Sequence, residues 1–139
     1  MGSGSVITQH ETFDGAGLED RLYEFNRHAT GYHDGRDLAF TCDEAGEMVA
    51  GAAGYTWGGI AELRYVWVRE DRRHAGLGSA LMQAAIGEAR ARGCRYLFLS
   101  THSFQAQGFY ERLGFETLAT IPDKPLGHAE HWMRLTLRP

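Results

Sequence analysis

Six consecutive residues, Arg73-His74-Ala75-Gly76-Leu77-Gly78, have the types and spacing best suited to holding an anion. They stand between an apolar run, Tyr65-Val66-Trp67-Val68, that reads as a strand, and an Ala-rich run from Ser79 to Arg92 that reads as a helix. Glycines let backbone N–H groups come close to a ligand. A helix start adds unpaired donors and the positive end of its dipole. Two other phosphate-holding patterns do not fit. A dinucleotide fingerprint needs Gly or Ala three residues after its second glycine, where this chain has Leu81. A nucleotide-phosphate loop ends in Gly-Lys-Ser/Thr, and this loop contains no lysine.

The whole chain bounds what this loop can serve. Its 139 residues and 43% hydrophobic content suit one compact domain over residues 6–139, behind a polar stretch, residues 1–5, that reads as a flexible N-terminus or a cloning scar. The net charge of -4 argues against a nucleic-acid binder. Within that acidic background, Arg69, Arg72, Arg73 and His74 form a basic island beside the glycines, as a polyanionic ligand would need. Cys42 and Cys94 sit in apolar strand-like runs and read as buried thiols of a reducing compartment. No metal-ligand spacing is present. No apolar run approaches the roughly 20 residues that span a bilayer, which predicts a cytoplasmic protein with no membrane partner.

Several elements must position the loop. Val6–Thr8 reads as a short first strand, and Leu18, Leu22 and Phe25 recur at helical spacing within residues 17–30. Strands are expected over 38–42, 48–57 and 60–68 as a meander. A helix should run from 75 to about 92, with Leu77, Leu81, Ala84 and Ala85 on its inner stripe. A strand over 94–99, a helix over 104–113 and strands over 115–121 and 131–137 complete the order. That order is β-α-β-β-β-α-β-α-β-β, an α/β domain whose mixed sheet carries helices on its faces. The strand over 94–99 can lie parallel to that over 60–68, because a helix separates them.

A second motif lies downstream: Ser103-Phe104-Gln105-Ala106-Gln107-Gly108-Phe109-Tyr110-Glu111-Arg112-Leu113-Gly114-Phe115. With Arg-x-x-Gly-x-Gly after a strand, Phe-Tyr-Glu-x-Leu-Gly-Phe resembles the two acyl-CoA-binding motifs of the GNAT N-acetyltransferase superfamily. The resemblance extends from Leu22 to Leu137 and is closest to small bacterial members. It implies a GNAT fold, with a mixed, mostly antiparallel sheet of six or seven strands and three or four helices. It also implies acetyl-CoA as the donor and coenzyme A as product.

The resemblance carries roles residue by residue. Backbone amides of Arg73, His74, Ala75, Gly76, Leu77, Gly78 and Ser79 would hold the pyrophosphate. Val66, Trp67 and Val68 would pair with the pantetheine amides as an added strand does, and a bulge there would leave an N–H aimed at the thioester carbonyl. Ala106, Phe109 and Tyr110 belong to the second motif. Ser103 stands where many members have an Asn that contacts the pantetheine arm, and could equally cap the following helix. Tyr110 would be the general acid that protonates the leaving thiolate. Glu62, the only acid in the 60–68 strand, is the first candidate base, against a plain ion pair with Arg64. His102 is a second candidate.

The acceptor side is expected to gather aromatic and polar residues, among them Asn26, Tyr32, Tyr55, Trp57 and His128, for an amine held by cation–π contact. The activity implied is acetyl transfer to a primary amine of a small molecule by direct attack in a ternary complex. The alternatives are acetylation of a protein lysine or N-terminus, and a non-catalytic acyl-CoA sensor. An exposed edge strand after Trp132 could support a homodimer.

Overall fold

The computed structural model describes residues 4–138, and its contacts divide the chain into two compact units, Met1–Tyr32 and His33–Pro139. In the first, α1 (Ala16–Thr30) begins where the Ala16 N–H reaches Asp14 Oδ1 at 3.1 Å. It ends at Gly31, whose φ of 79° lets its N–H return to the Arg27 carbonyl. Leu18, Leu22 and Phe25 are exposed. The expected strand over Val6–Thr8 is absent: those residues are irregular, and Val6 and Ile7 are exposed. Three residues offer too few ladder hydrogen bonds to hold a strand without a buried face.

The second unit carries β1 (Arg36–Glu44), β2 (Glu47–Trp57), β3 (Ile60–Val68), a 3-10 turn (Glu70–Arg72), α2 (Leu77–Ala91), β4 (Tyr96–His102), α3 (Gln107–Arg112), β5 (Glu116–Pro122) and β6 (Ala129–Thr136). The strands form one sheet in the order β1-β2-β3-β4-β6-β5, antiparallel except where β3 meets β4. This is the α/β architecture expected, with six strands and three helices. The strand after Trp132 is not an edge, because β6 lies between β4 and β5; the edges are β1 and β5.

The core lies between α2 and one face of the sheet. Leu81, Met82, Ala85, Ile86 and Ala89 of α2 are buried with Leu38, Ala52, Leu63, Leu97, Leu99 and Met133. The buried stripe thus includes Met82 and Ile86, whereas Leu77 is only partly buried. Cys94 is buried and Cys42 half-buried. On β4 the alternate residues Phe98, Ser100 and His102 face the other side of the sheet.

Two irregularities open the sheet. The β2–β3 register shifts between Ala53 and Gly54, so that Arg64 has no counterpart, and β3 bulges there. A Cβ on Gly54 would overlap the Glu62 carbonyl oxygen and stand 2.8 Å from Leu63 Cα, so the close approach requires glycine. The β3–β4 pairing runs only from Ile60↔Tyr96 to Glu62↔Phe98. Beyond it, Val66–Val68 pairs with β2 alone, and β4 continues to His102 against β6. The two middle strands therefore splay.

Candidate active site

The loop after β3 is built from backbone. His74 (φ 63°) and Gly76 (φ 87°) both adopt the left-handed conformation, as turns that form anion-binding nests of N–H groups do. Gly76 is the N-cap of α2, and no side chain caps it. The first backbone bond of the helix is from the Ala80 N–H to the Gly76 carbonyl at 3.0 Å. Leu77, Gly78 and Ser79 thus present free N–H donors among the described residues. At Gly78 a Cβ would lie 3.5 Å from Phe109 Cζ and 3.8 Å from Val68 Cγ2. Loop, β3 end and α3 therefore converge on Gly78.

Two arginines of the basic island are ion-paired within the fold, and a third bonds a backbone carbonyl. Arg69 pairs with Asp71 at 2.6 Å, and Arg72 with Glu44 at 2.7 Å. Arg73 Nε donates to the Val68 carbonyl at 2.9 Å and ties the loop to the end of β3. The N–H groups and dipole at the start of α2 can attract an anion at this loop without drawing on Arg69 or Arg72, whose charges face Asp71 and Glu44.

Tyr110, on α3, is buried, with Phe109 and Phe115 set edge-on to its ring at 5.2 and 5.7 Å. Burial pushes its phenol up to about 12. Its hydroxyl has no hydrogen-bond partner among the described residues. The phenol keeps its proton at any physiological pH and is committed to no internal acceptor. The turn before α3 is longer than expected, so Ser103 is not its cap. Ala106 is the N-cap, its N–H bonded to Thr101 Oγ1 at 3.2 Å. Ser103 instead joins the turn to β6: its Oγ accepts the Ala129 N–H at 3.0 Å, and its own N–H donates to the Ala129 carbonyl.

Glu62 lies at the end of the β3–β4 pairing. It accepts a hydrogen bond from the Tyr55 hydroxyl at 3.0 Å, and Arg64 Nε stands 3.9 Å away. Burial and then the bond to Glu62 raise the Tyr55 phenol, so Tyr55 acts as a donor to the carboxylate. The Arg64 guanidinium lies 5.0 Å over the Tyr55 ring and takes the face on which an amine was expected to stack. His102 ends β4, with Nδ1 3.0 Å from Gln105 Oε1 and its ring stacked on Phe104 at 5.2 Å. His128 meets the same Phe104 edge-on at 5.0 Å.

The other residues expected on the acceptor side are spread more widely. Trp57 lines a separate cavity with Arg36, Arg92 and Cys94. Asn26 and Tyr32 belong to the Met1–Tyr32 unit. One group escaped the sequence reading. Glu130 of β6 is buried, lies opposite His102 in the β4–β6 register, and pairs with Lys124 at 2.8 Å. Its only signal in the sequence was an acid within a strand-like run, at a register no sequence displays.

Comparison with known proteins fits this geometry. The family model for the Acetyltransferase (GNAT) family matches residues 7–115. The chain is 41% identical over 95 residues to a blasticidin-S acetyltransferase of Streptomyces morookaense, covering 66% of this chain and 68% of that protein. It is 35% identical over 95 residues to an L-methionine sulfoximine/L-methionine sulfone acetyltransferase of Pseudomonas aeruginosa, covering 63% and 55%. The crystal structure of an acetyltransferase from Bacillus cereus superposes with a TM-score of 0.78 at 25% identity, over 95% of this chain and 97% of that one.

Proposed function

Since the chain belongs to the acetyltransferase (GNAT) family, an enzyme family that uses acetyl-CoA, we propose that it acetylates a primary amine of a small molecule by direct attack in a ternary complex. The observation that carries this reading is the edge of Val66–Val68 that no neighbouring strand covers, touched only at the Val68 carbonyl by Arg73, which leads directly to the uncapped start of α2. An open strand edge suits the amides of a pantetheine arm, and free N–H groups at a helix start suit a pyrophosphate. The absence of a Cβ at Gly78, between Val68 and Phe109, keeps that path clear. The residues present therefore fit acetyl-CoA: Val66, Trp67 and Val68 along the arm, the amides of residues 73–79 on the pyrophosphate, and Ser103, Ala106 and Phe109 on the opposite wall.

Acetyl-CoA supplies an activated acetyl thioester. The amine must reach it unprotonated, and Glu62 receives that proton. Its carboxylate is oriented for this by the Tyr55 hydroxyl and sits where the sheet begins to open. Tyr110 holds its proton and offers it to the sulfur as negative charge develops there. A phenol at about 12 is a weaker acid than the thiol it serves, so it acts first as a hydrogen-bond donor to the leaving group and yields the proton late.

Two relatives named for small-molecule acceptors support a small-molecule amine. The test is thiol release from acetyl-CoA with blasticidin S, methionine sulfoximine, aminoglycosides, a lysine-rich protein and N-terminal peptides, each with wild type and Tyr110→Phe. Turnover on a small amine that collapses in the variant supports the reading. Turnover on protein or peptide alone, or coenzyme A binding with no turnover, overturns it.

A further inference from the structure

We propose that Glu130 is a recognition carboxylate for a second cationic group on the acceptor, an ammonium or guanidinium, and that Lys124 is the internal cation it exchanges. This rests on the small-molecule amine reading above and narrows it to an acceptor carrying a second positive charge.

Glu130 is only 6% exposed, and its Oε1 lies 2.8 Å from Lys124 Nζ. Its Oε1 is buried with no hydrogen-bond partner among the described residues, and the Lys124 ammonium beside it holds the carboxyl below the ordinary range. A buried carboxylate needs a cation, yet a buried ion pair is seldom the most stable filling for a fold. The partner here is poorly suited to a structural role. The Lys124 side chain is 57% exposed and belongs to the loop between β5 and β6. That loop keeps its shape by other means: the Gly127 N–H donates to Asp123 Oδ1, and the His128 N–H to the Pro125 carbonyl. The lysine can leave without dismantling the loop, and Glu130 then needs a replacement of the same charge.

Register places this carboxylate relative to the chemistry. Glu62 pairs with Phe98 and Glu130 with His102, so both acids lie on the face opposite the α2 core. Four residue steps along β4, about 13 Å, separate the two levels. An acceptor spanning them is extended, with its reacting amine toward Glu62 and its second charge at Glu130.

The test is calorimetric titration of the full chain with coenzyme A present, using 1,8-diaminooctane and 1-aminooctane on wild type, Glu130→Gln and Lys124→Met. Wild type should bind the diamine at least tenfold more tightly than the monoamine. Glu130→Gln should erase that preference while melting as a folded protein. Lys124→Met, at an exposed side chain, should strengthen diamine binding several-fold by removing the internal competitor. Equal binding of both amines by wild type, an undiminished preference in Glu130→Gln, weakened diamine binding in Lys124→Met, or no binding at all would overturn the proposal. Diamine binding through Glu130 with no thiol release on any small amine leaves this assignment standing and sinks the acetylation reading instead.

Discussion

The two sides of the splayed sheet are made of different material. On the side proposed for the donor, from Val66 to Ser79, the groups available to a ligand are backbone amides, and the nearby arginines are engaged with Asp71, Glu44 and the Val68 carbonyl. On the side proposed for the acceptor, around Glu62, His102 and Glu130, the groups available are side chains, each held by a neighbour on another strand or in a loop. A backbone site is specified by conformation and tolerates side-chain change. A side-chain site is specified by register and changes with one substitution. That is how a shared donor can be kept while acceptors diverge.

The largest effect should come from Tyr110, the buried phenol of α3. Tyr110→Phe keeps the contacts with Phe109 and Phe115 and removes only the proton. We expect kcat to fall about 100-fold or more, with the KM for acetyl-CoA nearly unchanged. A fall under threefold would leave Tyr110 a packing residue. Glu62→Gln should follow, with a loss of tenfold or more in kcat/KM for the amine that shrinks as pH rises and more free amine is available.

On the donor side the comparison predicts that glycine matters more than arginine. Gly76 has φ 87°, and nothing lies within 4 Å of a Cβ built there, so Gly76→Val costs backbone strain of about 1–3 kcal/mol without a clash. The KM for acetyl-CoA should rise about tenfold. Arg72→Ala, which breaks only an exposed pair with Glu44, should change that KM less than twofold. If the arginine variant proves the worse of the two, the donor side is electrostatic after all and the contrast fails.

The same contrast explains what could be read before the fold was known. The loop motif and β3, whose bounds match expectation at Ile60–Val68, are local patterns, and so was the second motif. The start of α3 was misplaced by three residues, because Gln105 and Thr101 side chains hold residues 102–106 in a turn where apolar spacing suggests helix. Val6–Thr8 is apolar enough for a strand but lies outside the paired ladders. The acceptor side was the least legible. Tyr55 meets Glu62 through strand register, whereas Trp57, two residues on, lines a different cavity. Glu130 reaches Lys124 across a loop, and no spacing rule announces a pair closed in that way.

The smallest effect separates the two sides by how their charges respond to acid and salt. Glu130 and Asp71 both titrate below their ordinary range, held charged by Lys124 and Arg69. Because each folded value is depressed, each contribution to stability is complete above the unfolded carboxyl range, about 4, and is lost as pH falls through the folded value. Glu130→Gln and Asp71→Asn should therefore each flatten the acid limb of the thermal-melting profile, by only about 2 °C. Salt distinguishes them. The Asp71 side chain is 65% exposed, so its contribution is screened at high ionic strength. The Glu130 side chain is 8% exposed, and its contribution should survive in about 0.5 M salt, where the Debye length falls well below 10 Å. Equal loss of both in salt would mean that the acceptor carboxylate is as solvated as the donor-side pairs, and a solvated Glu130 has no need of a ligand's charge.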